Sequence, residues 1–296
     1  MLSRAASAAY YLLMETTKAQ TWADFEKWVD AVRLEVADFA EGPGAGVSTL
    51  LFRGQQSHKW SLQTTLERYP GAGLKAMDYF RAASGIKSSI ESLTGQRWTT
   101  VDEPEFEKIL EADLFGWGGK FPDYEYLVHL RHHGFPSPLL DWSRSPFVAA
   151  FFAFHHARLE GDDVAVYAYL EYAGGAKTSS TSSPTIYGLG PHVTTHKRHV
   201  LQQAEYTICV QQVGAVWQYA PHESAASMWD QFGDQDLLWK ITLPATLRNQ
   251  VLRRLDSFNL NAFSLFQSED SLMETMALRA FIFDEPEPDM VARFVK

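Results

Sequence analysis

The sequence predicts a single α+β domain, and three observations lead there. A chain of 296 residues, 46 % hydrophobic and 21 % charged, can bury a large core, which excludes a disordered or fibrous chain. Apolar residues recur at period two in some segments and at three and four in others, so strands and amphipathic helices interleave along the chain. No clean linker divides the sequence and no repeat of about 20–50 residues is visible, so one unit is expected rather than an array.

From Thr21 onward Phe25, Trp28, Val29, Val32, Val36 and Phe39 follow helical spacing, with Thr21 and Asp24 forming a capping-box-like start. Gly42, Pro43, Gly44 and Gly46 end that helix, and residues 48–52 read as a short buried strand stopping at Arg53-Gly54. Between 75 and 130 lie helical stretches, among them 105–112 and 123–130, read as peripheral. Ser145 is a natural N-cap and Pro146 a natural first helical residue for a nearly all-apolar, hence buried, helix through Phe154. Residues 162–172 alternate Val164, Val166, Ala168 and Leu170 as a strand does, and the Ser/Thr/Gly-rich run 174–190 reads as a flexible loop. Residues 198–213 read as a strand, with Leu201, Gln203, Glu205 and Thr207 on one face and Gln202, Ala204, Tyr206, Ile208 and Val210 near the other. Residues 237–243 form another strand, and Pro244 opens an amphipathic helix ending near Leu255.

Composition removes several function classes. Twenty-six basic against 36 acidic residues give a net charge of −10, which argues against general coating of nucleic acid but leaves room for one basic cleft. The single cysteine, Cys209, excludes an internal disulfide and a cysteine-based zinc fold. The first residues contain neither a membrane span nor a convincing cleavage site, so a cytoplasmic location without a membrane partner is expected. Serine-hydrolase elbows, phosphate-binding Walker loops, zinc-protease helices and dinucleotide-binding glycine motifs are all missing. His132-His133 and His155-His156 are adjacent pairs, and neighbours in a helix or strand point to different sides, so no metal is expected.

Arg53 at a strand end offers five fixed donors that match a phosphate or a carboxylate bidentately, whether for a ligand or in a structural pair with Asp141. Asp141 sits in an apolar stretch, where an ionised carboxylate needs a partner or backbone donors, and it reads equally as a staple of the turn. Gln203 and Glu205 share a strand face. They converge on one ligand if that face opens on a cleft, and are exposed strand polarity otherwise.

Phe52-Arg53-Gly54-Gln55, followed by Trp60-Ser61-Leu62 and Leu66-Glu67-Arg68, resembles the opening block of the FRG domain family, named for Phe-Arg-Gly. His133 through Ser143, then Ser145-Pro146 and Ala149 to Ala153, resembles its second block. Gln203 with Tyr206-Thr207 resembles the third, and Leu255, Phe258 to Leu260 and Ser264 to Phe266 the last. Ser137-Pro138 stands where many relatives have Thr-Arg, so a second basic residue is missing at that point. The resemblance implies an FRG domain over 48–275, a helical N-terminal extension over 1–47 and a C-terminal tail over 276–296 packed on the domain.

A further resemblance is to ADP-ribosyltransferases of the Arg-Ser-Glu type, on Arg53-Gly54, on Asp141-Trp142-Ser143 before the Ala149 to Ala153 helix, and on Gln203-Ala204-Glu205. It implies an ADP-ribosyltransferase-like split β-sheet core with peripheral helices. It also implies NAD as substrate, with Arg53 on a phosphate and Gly54, Gln55, His133, Trp142 and Tyr206 around it. Ser143 would position Glu205, Glu205 or Asp141 would stabilise the oxocarbenium-like charge, and Gln203 would orient the acceptor; Phe135 is a further candidate to stack on the nicotinamide. The function implied is an NAD-dependent mono-ADP-ribosyltransferase-like effector, a toxin or phage-defence protein with a macromolecular or small-molecule acceptor and an antitoxin or regulatory partner. The alternatives are a non-catalytic NAD or nucleotide sensor and a nuclease or glycosidase using Asp141 and His133.

Overall fold

A computed structural model describes residues 16–40, 48–71, 73–112, 121–171, 183–194, 197–226 and 236–283. Eight strands form one open sheet: β1 (Thr16–Lys18), β2 (Leu51–Gln55), β3 (Leu140–Ser143), β4 (Val164–Leu170), β5 (Thr185–Gly188), β6 (Ala204–Val213), β7 (Val216–Tyr219) and β8 (Leu237–Leu243). Their order is β1-β8-β4-β2-β3-β6-β5, with β7 also on β6. Neighbours run antiparallel except β1 and β8. With α-helices α1 (Trp22–Ala40), α2 (Ala76–Thr94), α3 (Glu103–Glu111), α4 (Tyr124–His132), α5 (Pro146–Phe154), α6 (Lys197–Leu201), α7 (His222–Ala226), α8 (Arg248–Ser257), α9 (Ala262–Phe266) and α10 (Glu269–Leu278), the architecture is α+β. None of the described helices is long and apolar enough to cross a membrane.

Register and pleat decide where the helices lie. Phe52 opposes Ser143 and Ala168, Val166 opposes Ile241, and Asp141 opposes Tyr206, so these side chains share one face. Over the β8-β4-β2 half of that face, α1, α5, α8 and α9 bury Phe25, Val29, Phe52, Phe151, Phe154, Val166 and Ile241 in one cluster. Over the β6-β7 half, α2, α3 and α4 bury Tyr79, Phe106, Tyr126, Tyr206 and Ile208 in a second. The two helical groups meet above β2 and β3, which register through the single pair Phe52 and Ser143. The ladder at the centre of the sheet is thus a short one. A third cluster, with Leu51, Leu140, Trp142, Tyr167, Tyr169 and Cys209, fills the opposite face.

Local chemistry sets the ends of the elements. Thr21 and Asp24 cap α1 reciprocally, Asp24 N donating to Thr21 Oγ1 at 3.2 Å and Thr21 N to Asp24 Oδ2 at 3.0 Å. Val148 N donates to Ser145 Oγ at 3.3 Å at the start of α5, with Pro146 in the first turn. Gly54 lets α5 lie on β2, since a Cβ there would stand 1.9 Å from the Ala149 carbonyl oxygen and 2.6 Å from Ala153 N.

Three expectations need correction. The strand at 48–52 begins at Leu51 and runs through Arg53 and Gly54, because β4 offers Tyr167 and Val166 as ladder partners beyond Phe52. The run 174–190 contains β5, which pairs with β6 at its centre, while 172–182 lie outside the described residues. Residues 198–213 are not one strand: α6 ends at Leu201, and Gln203 takes a left-handed φ of 48° that turns the chain into β6. As its apolar stripe predicts, α1 lies on the core and supplies residues to the cluster shared with α5 and β8. At the other end, α10 is followed by a π-helical turn, Arg279–Phe283, in which Arg279 grips Asp256 with two bonds of 2.9 Å.

Candidate functional site

Beside the short β2–β3 ladder lies a cleft of about 580 Å³. Its charged lining consists of Arg53, Lys59, Arg68, Arg131 and Arg198 and, among the described residues, one carboxylate, Asp141. A chain carrying ten excess negative charges thus concentrates cations in one concavity.

Arg53 enters the gap where the β2–β3 ladder has ended. Its Nη1 donates to the Asp141 carbonyl oxygen at 2.6 Å and lies 3.2 Å from Asp141 Oδ1. Arg131, in the last turn of α4, donates from Nη2 to the same Oδ1 at 2.5 Å. Burial pushes the Asp141 carboxyl up, but Arg131 and Arg53 overcome it and hold the group well below the usual carboxylate range. Burial lowers the Arg53 guanidinium and Asp141 opposes that shift. At Arg131 the attraction of Asp141 dominates and raises it. Both Nε atoms are buried without a hydrogen-bond partner, so the pair keeps unused donors beside a carboxylate that is 43 % exposed.

Aromatic and polar groups complete the cleft. His132 Nε2 and the Tyr206 hydroxyl are 2.7 Å apart on one wall. Phe152 and Phe266 form another, with the Arg198 guanidinium 5.6 Å from the Phe266 ring. At the mouth Trp60 is 51 % exposed, and Lys59 is bound to Asp162 at 2.5 Å.

Among the candidate site residues, Arg53, Gly54, Gln55, Asp141, Trp142, Ser143 and Tyr206 line this cleft. Several have structural duties as well. Gly54 makes room for α5, and Gln55 donates to the Ser61 carbonyl at 3.1 Å, holding the loop that carries Trp60. Ser143 donates to the Gln202 carbonyl at 2.7 Å and accepts from Ser145 N at 3.0 Å, tying β3 to the turn before β6. Trp142 turns its indole to the opposite face, stacked on Tyr169 at 5.2 Å and donating to Thr207 at 2.8 Å, so it is no stacking platform for a ligand in the cleft. Phe135 packs against Tyr79 in the second core cluster.

Glu205, Gln203 and His133 lie outside the cleft lining. Glu205 alternates with Ala204 and Tyr206 and therefore points through the other face, where it is 6 % exposed, 3.7 Å from Arg144, and raised by burial. Gln203 is exposed at the turn, and its carbonyl accepts from Arg144 N at 3.0 Å. His133 is exposed at the end of α4 with its ring 4.3 Å from His129. In each case an immediate neighbour, Tyr206, Gln202 or His132, occupies the cleft instead. Sequence reasoning also missed Arg131, the second guanidinium on Asp141. The signal for it was its place in the last turn of a helix ending just before the Asp141 strand.

Residues 48–162 match the family model described as FRG domain. No curated protein and no solved structure matches the chain significantly. The match contains Phe52-Arg53-Gly54-Gln55, Arg131, Asp141 and the whole of α5, and the blocks from Gln203 onward lie beyond it. The residues that build the floor of the cleft therefore lie within the segment, residues 48–162, that matches an FRG domain.

Proposed function

We propose that the cleft binds a nucleotide-class ligand through its phosphates, with NAD the nucleotide that the ADP-ribosyltransferase resemblance implies. The observation that carries this reading is the convergence of Arg53 and Arg131 on Asp141 at the floor of a cleft whose remaining charges, Lys59, Arg68 and Arg198, are all positive. Planar guanidiniums with unused donors suit phosphate oxygens, and Asp141 fixes their orientation before a ligand arrives. The volume falls within the about 300–1,000 Å³ of small-molecule sites. Exposed Trp60 offers a face for a base at the mouth. Calorimetric titration of the purified chain with NAD, ADP-ribose and inorganic pyrophosphate tests the reading. Saturable binding that Arg53→Ala and Arg131→Ala abolish supports it, and binding unchanged in both variants, or none in the parent, overturns it.

ADP-ribosyl transfer is the second reading, and Asp141 rather than Glu205 is the carboxylate it would use. What favours it is that Asp141 stays ionised and 43 % exposed to the cleft, as a group stabilising an oxocarbenium-like charge must be. Nicotinamide release lost in Asp141→Asn and kept in Glu205→Gln is the expected pattern. A nuclease or glycosidase pairing Asp141 with His133 has no support, because His133 lies outside the cleft.

A further inference from the structure

His155 and His156 follow the last residue of α5, where the chain leaves the helix for a turn. At that point adjacent side chains no longer diverge, and the two imidazole centroids lie 3.9 Å apart. His155 is 4 % exposed, stacked on Phe151 at 4.5 Å, with Nε2 only 2.5 Å from Oε1 of Glu274 on α10. That approach does not have hydrogen-bond geometry, and Nε2 is buried without a hydrogen-bond partner. One donor atom from each of His155, His156 and Glu274 falls within 4.8 Å of the others.

We propose that His155, His156 and Glu274 bind one divalent transition-metal ion of the zinc class, joining the end of α5 to α10. Two imidazoles and a carboxylate are a donor set that zinc accepts with one further position open. A tetrahedral ion with bonds of about 2.0–2.1 Å spaces its ligand atoms about 3.3 Å apart, so the His155–Glu274 approach lengthens and His156 swings in. The packing permits this: His155 is fixed by its aromatic neighbours, while exposed His156 and half-buried Glu274 can turn. Arg248, the nearby cation, donates to the His155 carbonyl at 2.9 Å instead of gripping Glu274. The ion would also steady the cleft, because Phe266, 5.9 Å from the His155 ring, is one of its wall residues.

The test is a titration of the chelator-treated full chain with Co²⁺, followed by its visible d–d absorption, and with Zn²⁺, followed by calorimetry and thermal unfolding. One equivalent of either metal is expected, with a Zn²⁺-dependent rise in melting temperature. His156→Ala and Glu274→Gln, both at positions that folding does not bury fully, should weaken binding at least tenfold and remove the rise while leaving the circular dichroism spectrum of the metal-free chain unchanged. Absence of saturable binding, or equal binding in both variants, overturns the site.

Discussion

Arg53 and Arg131 meet on one atom, their Nη1 and Nη2 lying 3.2 and 2.5 Å from Oδ1 of Asp141. Two partly buried guanidiniums held this close repel each other unless an anion stands between them, and in the free protein Asp141 is that anion. Asp141→Asn should therefore cost about 1–3 kcal/mol, since both cations keep their places without a counter-charge. Thermal unfolding measures the loss, and inorganic pyrophosphate should restore more of it in the variant than in the parent. Unaltered stability, or no selective rescue, contradicts the arrangement.

The same triad fixes a pH dependence. The folded-state value of Asp141 is depressed, so its contribution is present above the unfolded carboxyl's value of about 3.9 and is lost as pH falls through the lower folded value. The cost of Asp141→Asn should accordingly be constant from pH 5 to 8 and shrink only in stronger acid. Paired unfolding curves for variant and parent across that range check this, and a cost already fading between pH 7 and 5 would refute it.

Glu205 carries the opposite sign. Burial raises its carboxyl, with Arg144 opposing, so stability falls as pH rises from the unfolded value through the higher folded one. Glu205→Gln should melt a few degrees above the parent at pH 7, the advantage vanishing toward pH 4. Nucleotide affinity should stay the same, because the side chain faces away from the cleft. A loss of affinity without a change in stability would return Glu205 to the binding site.

Gly54→Ala should cost more than about 3 kcal/mol, the upper end of ordinary overpacking, because the new Cβ meets backbone atoms of α5 rather than a movable side chain. Urea unfolding compares it with Gly71→Ala, a loop position where a Cβ meets nothing within 4 Å and only the positive φ of 78° is strained. Equal costs at the two positions would show that α5 yields more readily than its packing implies.

At the mouth, Trp60→Ala should weaken nucleotide binding about tenfold, in line with about 1–3 kcal/mol for stacking a base on an aromatic ring. Pyrophosphate, which has no base, should bind the variant as it binds the parent. A matching loss for both ligands would place Trp60 in the support of the loop instead.

Much of the local structure could be read from residues that interact with near neighbours. Thr21 with Asp24, Ser145 with Pro146, and the alternation of Val164, Val166, Ala168 and Leu170 all specify their elements within a few positions, and the structure follows them. Arg53 and Asp141 were legible as candidates for a related reason, since a charge in an apolar strand demands a partner, whereas Ser143 entered only through the resemblance. Side-chain direction was harder. The two faces of β6 were legible, Glu205 with Thr207 on one and Tyr206 with Ile208 on the other, but which of them opens on the cleft depends on where the helices dock, and that places Tyr206 in the lining and Glu205 on the far side.

By itself, then, the sequence determined the α+β class, the caps and apolar stripes of its helices, and the motif that carries Arg53 and Asp141. Tertiary structure alone decided that β2 and β3 register through a single pair, that Arg131 arrives from a separate helix to share Asp141, and that His155 and His156 come together near Glu274. The physical reason is range. Hydrogen-bond caps and hydrophobic periods act within a turn or a strand, whereas a cleft is made by side chains distant in sequence whose directions depend on register and helix docking.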